Sequence, residues 1–165
     1  MVISRKSCTF AYKFKLTTIM KYNLQVTDVT HEELVSIFSM LCCENDFAVN
    51  CKKKDWEKIK GSVMSKWPKN IVYCFEDKCA DILLNGGKVY VTDIQAEEQV
   101  YGTLPHTIDA EDESVTYEVT LQDFLKGFSN PDAMKYVKDL AIEDDDYWTA
   151  YNLIQFAIFG EQIYG

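Results

Sequence analysis

Apolar positions recur along this chain at two spacings, three to four residues in some stretches and two in others, and the switches between them mark its elements. After an extended piece that stops at Thr30, HEELVSIFSMLCC places Leu34, Ile37, Phe38 and Leu41 on one helical face. Thr30 and Glu33 have the spacing of a capping box, in which each side chain satisfies a free amide at the helix start. KKKDWEKIKGSVMSKW then sets Trp56, Ile59, Val63 and Trp67 at helical spacing among lysines. Gly61 weakens this basic amphipathic helix by about 1 kcal/mol relative to alanine, and Pro68 ends it. In VYCFEDKCADILLNGG, Phe75, Cys79, Ile82 and Leu83 share a face, and Asn85-Gly86-Gly87 supplies a left-handed stop.

The period drops to two in KVYVTD and again in SVTYEVT, which predicts two strands paired antiparallel. Between them, IQAEEQVYGTLPHTIDAEDE is expected to form a long hairpin loop or a small added ribbon through Val100 and Tyr101. Thr120 and Asp123 repeat the capping pattern ahead of LQDFLKGF, and Asn130-Pro131-Asp132 opens the helix DAMKYVKDLAI. The last stretch, YWTAYNLIQFAIFG, is apolar around most of its circumference, as in a helix lying against the core. Near the start, Phe10, Tyr12, Phe14 and Leu16 alternate with Ala11, Lys13, Lys15 and Thr17, the pattern of a short strand. The alternative is a basic extension ahead of a translation start at Met20. The expected architecture is α+β: residues 1–19 as that extension or an edge strand, and residues 20–165 as a single domain. That domain should hold four or five helices and a two- or three-stranded antiparallel sheet, with the last helix across the core.

Charge changes this picture. The net charge of −9 argues against direct nucleic-acid binding and against an anionic membrane, because both need a basic surface. The total hides an asymmetry: residues 1–69 carry 12 basic and 7 acidic side chains, or +5, whereas residues 70–165 carry 5 and 19, or −14. The halves attract each other, or the acidic part faces a basic partner. Six cysteines, Cys8, Cys42, Cys43, Cys51, Cys74 and Cys79, lack the paired spacing of a structural zinc site. With no apolar run long enough for a membrane span and no secretion signal, reduced thiols in a cytoplasmic protein are expected.

Candidate chemistry is sparse. His31-Glu32 begins like a zinc-protease helix, but position 35 is Val where the second histidine would stand. Cys74 at a helix head and His106 in a loop would make a thiol dyad only if the fold joined them. Gly86-Gly87 follows a helix and precedes a strand, the reverse of a phosphate-binding loop. DDDYWTAYNLIQ lacks the glycine and the closing acid of a calcium loop. No catalytic residue, metal or cofactor is therefore assigned. Two acid runs remain as candidate partner-binding residues: Glu111, Asp112 and Glu113 in a loop, and Glu143, Asp144, Asp145 and Asp146 ahead of an apolar helix, where carboxylates also cap free amides.

Three pieces carry a resemblance: KYNLQVTDVTHEELVSIFS; CFEDKCADILLNGGKVYVTD with the later VTYEVTLQDFLKGF; and the terminal FAIFGEQIYG. In these the chain resembles a small, poorly characterised family of acidic proteins from bacterial phages and mobile elements, with an FGE-x-[IV]-[YF]-G ending. The resemblance implies no catalytic residues; Gly86, Gly87 and Gly127 fall at helix or turn ends, and Phe159, Ile163 and Tyr164 serve as packing. It implies a setting, since small acidic proteins of mobile elements often block host defence proteins. The expected function is a non-enzymatic acidic binding protein, a monomer or homodimer, that inhibits a host nucleic-acid-directed defence by engaging a basic host protein. The alternative is an assembly protein that dimerises through its aromatic C-terminal region, around Trp148, Tyr151 and Tyr164.

Overall fold

A computed structural model describes residues 25–42, 46–96, 103–111, 113–141 and 146–165. The strand expected over residues 10–16 and the ribbon expected at Val100 and Tyr101 lie outside these residues. The element order is α1 (His31–Leu41), β1 (Phe47–Asn50), α2 (Lys53–Lys66), α3 (Phe75–Leu84), β2 (Lys88–Asp93), β3 (His106–Ile108), β4 (Val115–Thr120), α4 (Leu121–Phe128), a 3-10 turn at Pro131–Ala133, α5 (Met134–Ala141) and α6 (Tyr147–Phe159). The protein is α+β, with six α-helices and a four-stranded antiparallel sheet among the described residues, more of each than the sequence pattern predicts.

The sheet runs β1-β2-β4-β3. Its centre is the expected pair, β2 against β4, registered from Lys88 opposite Thr120 to Asp93 opposite Val115. The two edges are the added strands. β1 pairs Phe47 with Asp93, and β3 pairs His106 with Tyr117, so His106 starts a strand instead of sitting in a loop.

One face of the sheet is buried through Phe47, Val49, Val89, Val91, Val115, Tyr117 and Val119, while Thr92, Thr116 and Glu118 alternate on the other. That alternation makes a two-layer arrangement with helices on the apolar face. In α6 every side chain from Thr149 to Ile158 is buried, as expected of a helix across the core, and α6 packs against α1, α4 and α5.

Local signals set the helix starts. The capping boxes at Thr30 and Thr120 form, with Glu33 and Asp123 accepting from the cap amides at 2.7 and 2.8 Å. Gly86, at φ +78°, ends α3 as its amide and that of Gly87 reach Leu83 and Ile82 carbonyls at 3.0 and 2.8 Å. Two expected faces are less covered than their spacing suggests. Phe75 is exposed in the first position of α3, and in α2 only Trp56 is buried. Periodicity shows which residues share a face, and not how far along a helix that face stays covered.

Candidate interaction surface

Antiparallel pairing gathers one end of the sheet from four chain segments. β1 begins there after Asp46, β2 ends there at Asp93, and the β3–β4 turn lies there because Ile108 pairs with Val115, which pairs in turn with Asp93. In that turn Asp109 accepts from the Glu111 amide at 2.8 Å, and Glu111 and Glu113 are exposed. Glu113 holds φ at +61°, which turns the chain back into β4. With strands about 4.8 Å apart, the four strand ends span roughly 15 Å.

The head of α6 meets the same end. The Tyr147 hydroxyl donates to the Asp46 carboxylate, and Gln95 donates its side-chain amide to the other Asp46 oxygen. Asp146 caps α6 by accepting from the amide and hydroxyl of Thr149 at 2.9 and 3.2 Å, which is the capping role that its place before an apolar helix implies. The two acid runs, remote in sequence, thus reach one end of the fold through Glu111, Glu113 and Asp146; Asp112, Glu143, Asp144 and Asp145 lie outside the described residues.

Two features make this end unlike an ordinary solvated surface. No Lys or Arg occurs between Lys88 and Lys126 or after Lys138, so these segments bring carboxylates and no basic residue. Among the acids stand three exposed large apolar side chains: Trp148 at 56% exposure, Ile94 at 52% and Ile108 at 50%. Trp148 packs edge-on against Tyr147 and Tyr151, each with centroids 5.6 Å away, and so is held as a fixed projection. The sequence places Trp148 with Tyr151 and Tyr164; of these only Trp148 is exposed, since Tyr151 is buried and Tyr164 half-buried.

Beneath the surface a polar clasp fixes the C-terminal tail. The fully buried Gln155 accepts from the amides of Ile163 and Tyr164 at 2.8 and 2.7 Å, and its side-chain amide donates to the Tyr164 carbonyl at 3.3 Å. The Tyr164 hydroxyl donates to the fully buried Asp93 at 2.7 Å, and the Gln95 amide donates to the other Asp93 oxygen at 3.0 Å.

Burial raises the Asp93 carboxyl above its ordinary range, with nearby Asp46 adding in the same direction, although the bonds from Tyr164 and Gln95 work against them. As pH rises through the ordinary carboxylate range, the unfolded chain loses its proton first. Folding stability therefore falls until the folded-state group also ionises. Asp93→Asn keeps a carbonyl for the Gln95 amide and removes the charge. Its stability relative to the natural chain should rise between about pH 3.5 and pH 7, as measured by urea unfolding at both values; a difference independent of pH would contradict this account.

A second polar cluster joins α1, α3 and the segment between α2 and α3. His31 lies half-buried with Nε2 at 3.9 and 3.7 Å from Asp77 and Asp81, its ring 5.9 Å from that of Trp67. Tyr73 donates to Asp81 at 2.8 Å, and burial followed by this bond pushes its hydroxyl well above the usual range. Asp77 accepts from the Cys74 amide at 2.8 Å, and so caps α3. Cys74 is at the head of α3, whereas His106 is on edge strand β3 with its ring 5.6 Å from Tyr117. Burial raises the Cys79 thiol, in line with a small apolar filler; Cys51, Cys74 and Cys79 are free thiols. Among the described residues no group of three or more His, Cys, Asp or Glu could hold a metal ion, and no helix is long and apolar enough to cross a membrane. Comparison with protein-family models, curated proteins and solved structures finds no match to this chain.

Proposed function

We propose that this protein is a non-enzymatic binding protein whose acidic sheet end engages a basic partner, and that the partner is a host protein of a nucleic-acid-directed defence, which it inhibits. One observation carries the reading: carboxylates from the β3–β4 turn and the α6 head share one end of the fold with exposed Trp148, Ile94 and Ile108, and neither 89–125 nor 139–165 contains a Lys or Arg. An exposed tryptophan among apolar neighbours is a common binding anchor, and a surrounding field of one sign selects and steers a partner of the other. The buried polar groups also fit a binding role. Gln155 and Asp93 hold backbone and tail, and Glu33 caps a helix. The mobile-element setting comes from the resemblance in KYNLQVTDVTHEELVSIFS and FAIFGEQIYG, and names the kind of partner.

The test compares pull-down from host lysate by the natural chain and by Glu111→Lys/Glu113→Lys/Asp146→Asn, in which the introduced asparagine retains a good helix cap. The natural chain is expected to retain a basic protein at about 0.1 M salt, with duplex DNA displacing it from the complex; the variant should retain at least about tenfold less. A complex indifferent to salt, to DNA and to the three substitutions would remove the electrostatic basis of the reading.

A further inference from the structure

Several basic residues lie away from the acidic sheet end. Lys52 and Lys88 meet Glu118 at the opposite end of β2 from Asp93, a strand length of about 17 Å away. From 58 to 75 the chain carries Lys58, Lys60, Lys66 and Lys69 and no acid. This stretch forms the tip of the α2–α3 hairpin. It is ordered by its aromatics: Tyr73 stacks on Trp56 with centroids 5.2 Å apart and meets Trp67 edge-on at 4.7 Å. The Trp67 indole N–H donates to the Ile71 carbonyl at 3.1 Å, and the Ile71 amide closes the turn onto Pro68 at 3.1 Å.

On this fixed turn stand apolar side chains facing water. Val72 is 79% exposed and Ile71 53%, and Met64 and Phe75 are exposed on either side. Of the eight large apolar side chains most exposed among the described residues, four are at this tip and three at the acidic sheet end. Among the described residues the exposed apolar side chains thus concentrate at two places, one on a lysine-rich stretch backed by Glu76 and the Tyr73-bonded Asp81 of α3, and one at the carboxylate-bearing sheet end. Each has the chemistry that the other calls for.

We propose that the α2–α3 tip of one copy docks on the acidic sheet end of a second copy, so that the protein associates with itself head to tail. The inference rests on the reading of the sheet end as a binding surface, and names this chain as a partner for it. Because the two patches are different surfaces, the contact is heterologous: each added copy leaves one tip and one acidic end free, and growth continues with concentration unless a ring closes. The most exposed groups at the tip, Val72 and Ile71, are aliphatic, and Trp67 and Tyr73 are engaged with each other, which favours a protein partner over a nucleic acid that would stack on a series of rings, although Phe75 is also exposed. The lysines against carboxylates set the register and supply the attraction that salt screens, and burial of Val72 and Ile71 against Trp148 and Ile108 adds to it between molecules of like net charge.

The experiment is sedimentation velocity on the full chain across a wide concentration range. The natural chain should sediment faster as concentration rises at about 0.1 M salt, and return to the monomer at about 0.5 M, where screening acts within about 4 Å. Two exposed-surface variants make the assignment specific: Lys66→Glu/Lys69→Glu/Val72→Ser at the tip, and Glu111→Lys/Glu113→Lys/Trp148→Ala at the acidic end. Each alone should remain monomeric. An equimolar mixture should form a one-to-one heterodimer and nothing larger, because each variant keeps one intact patch. Circular dichroism matching the natural chain shows that both variants fold. A monomeric natural chain at every concentration overturns the inference, as does a mixture that fails to pair. So does a monomer whose tip instead binds phosphatidylglycerol vesicles, since the lysines then answer to lipid. A monomeric chain that still retains a basic host protein through Glu111 and Glu113 overturns head-to-tail association alone; self-association with no host protein retained overturns the host-partner reading alone.

Discussion

Replacing Gly127 with alanine is expected to destabilise the fold by about 3 kcal/mol or more, although the change adds one methyl group to a helix and alanine is the better helix former. A Cβ at this position would lie 2.6 Å from the Ala157 nitrogen and 2.6 Å from the carbonyl carbon and oxygen of Phe156. These are backbone atoms of α6, where the surrounding side chains are buried. A flexible side chain could swing aside, but a helix backbone cannot. Relief requires α4 and α6 to move apart, which would loosen Phe124 and Phe128 as well. Propensity works the other way, by only about 1 kcal/mol. Gly61→Ala isolates that term, because Gly61 lies in α2 with nothing within 4 Å of a Cβ, and it should stabilise by about 0.5–1 kcal/mol. Urea unfolding of the two variants should show shifts of opposite sign; a Gly127→Ala midpoint at or above that of the natural chain would sink the close-approach account.

Gly127 also shows where the sequence is legible and where it is not. As a residue type it signals a helix or turn end, and α4 does end one residue later. Its main constraint comes from α6, thirty residues on, and no local pattern records which helix will cross which. The same division holds elsewhere. Thr30 with Glu33, Thr120 with Asp123, and Gly86 act within a few residues of themselves, so their patterns carry over directly into the caps and the stop observed. β1 and β3 are four and three residues long, too short for alternation to separate them from loop; they become strands because β2 and β4 offer free edges. For the acids, the helix-cap role of Asp146 follows from the apolar run behind it. That Glu111 and Glu113 share an end of the fold with Asp146 depends on the pairing of Ile108 with Val115 and on the reach of Tyr147 to Asp46, both non-local. The exposure of Trp148, unlike that of Tyr151 three residues later, is decided by where α6 enters the core.

Gln155→Leu is expected to lower stability by about 2–4 kcal/mol and to release the C-terminal tail before the rest of the fold. Leucine has nearly the volume of glutamine and suits an apolar helix, so a reading from hydrophobicity alone would make the change neutral or favourable. The polar partners decide otherwise. The amides of Ile163 and Tyr164 both donate to the glutamine oxygen, and with leucine they are left buried with no acceptor at about 1–3 kcal/mol each. The tail has a way out, because it is the end of the chain and can peel from α6 so that water takes the two amides. Peeling also removes Tyr164 from between Phe47 and Phe159, and leaves the Asp93 carboxyl without the Tyr164 hydroxyl. The smaller penalty determines the outcome, so the loss stays below the sum of two unpaired amides and appears first as local opening. Hydrogen exchange should show Ile163 and Tyr164 approaching free-peptide rates while the amides of α6 between Leu153 and Ile158 stay protected. Gln155→Glu, which retains an acceptor but buries a charge and loses the donor to the Tyr164 carbonyl, should be worse than leucine at neutral pH and recover as the carboxyl is protonated. Unchanged protection at residues 163 and 164 in the leucine variant would show that the tail is held by its aromatic contacts alone.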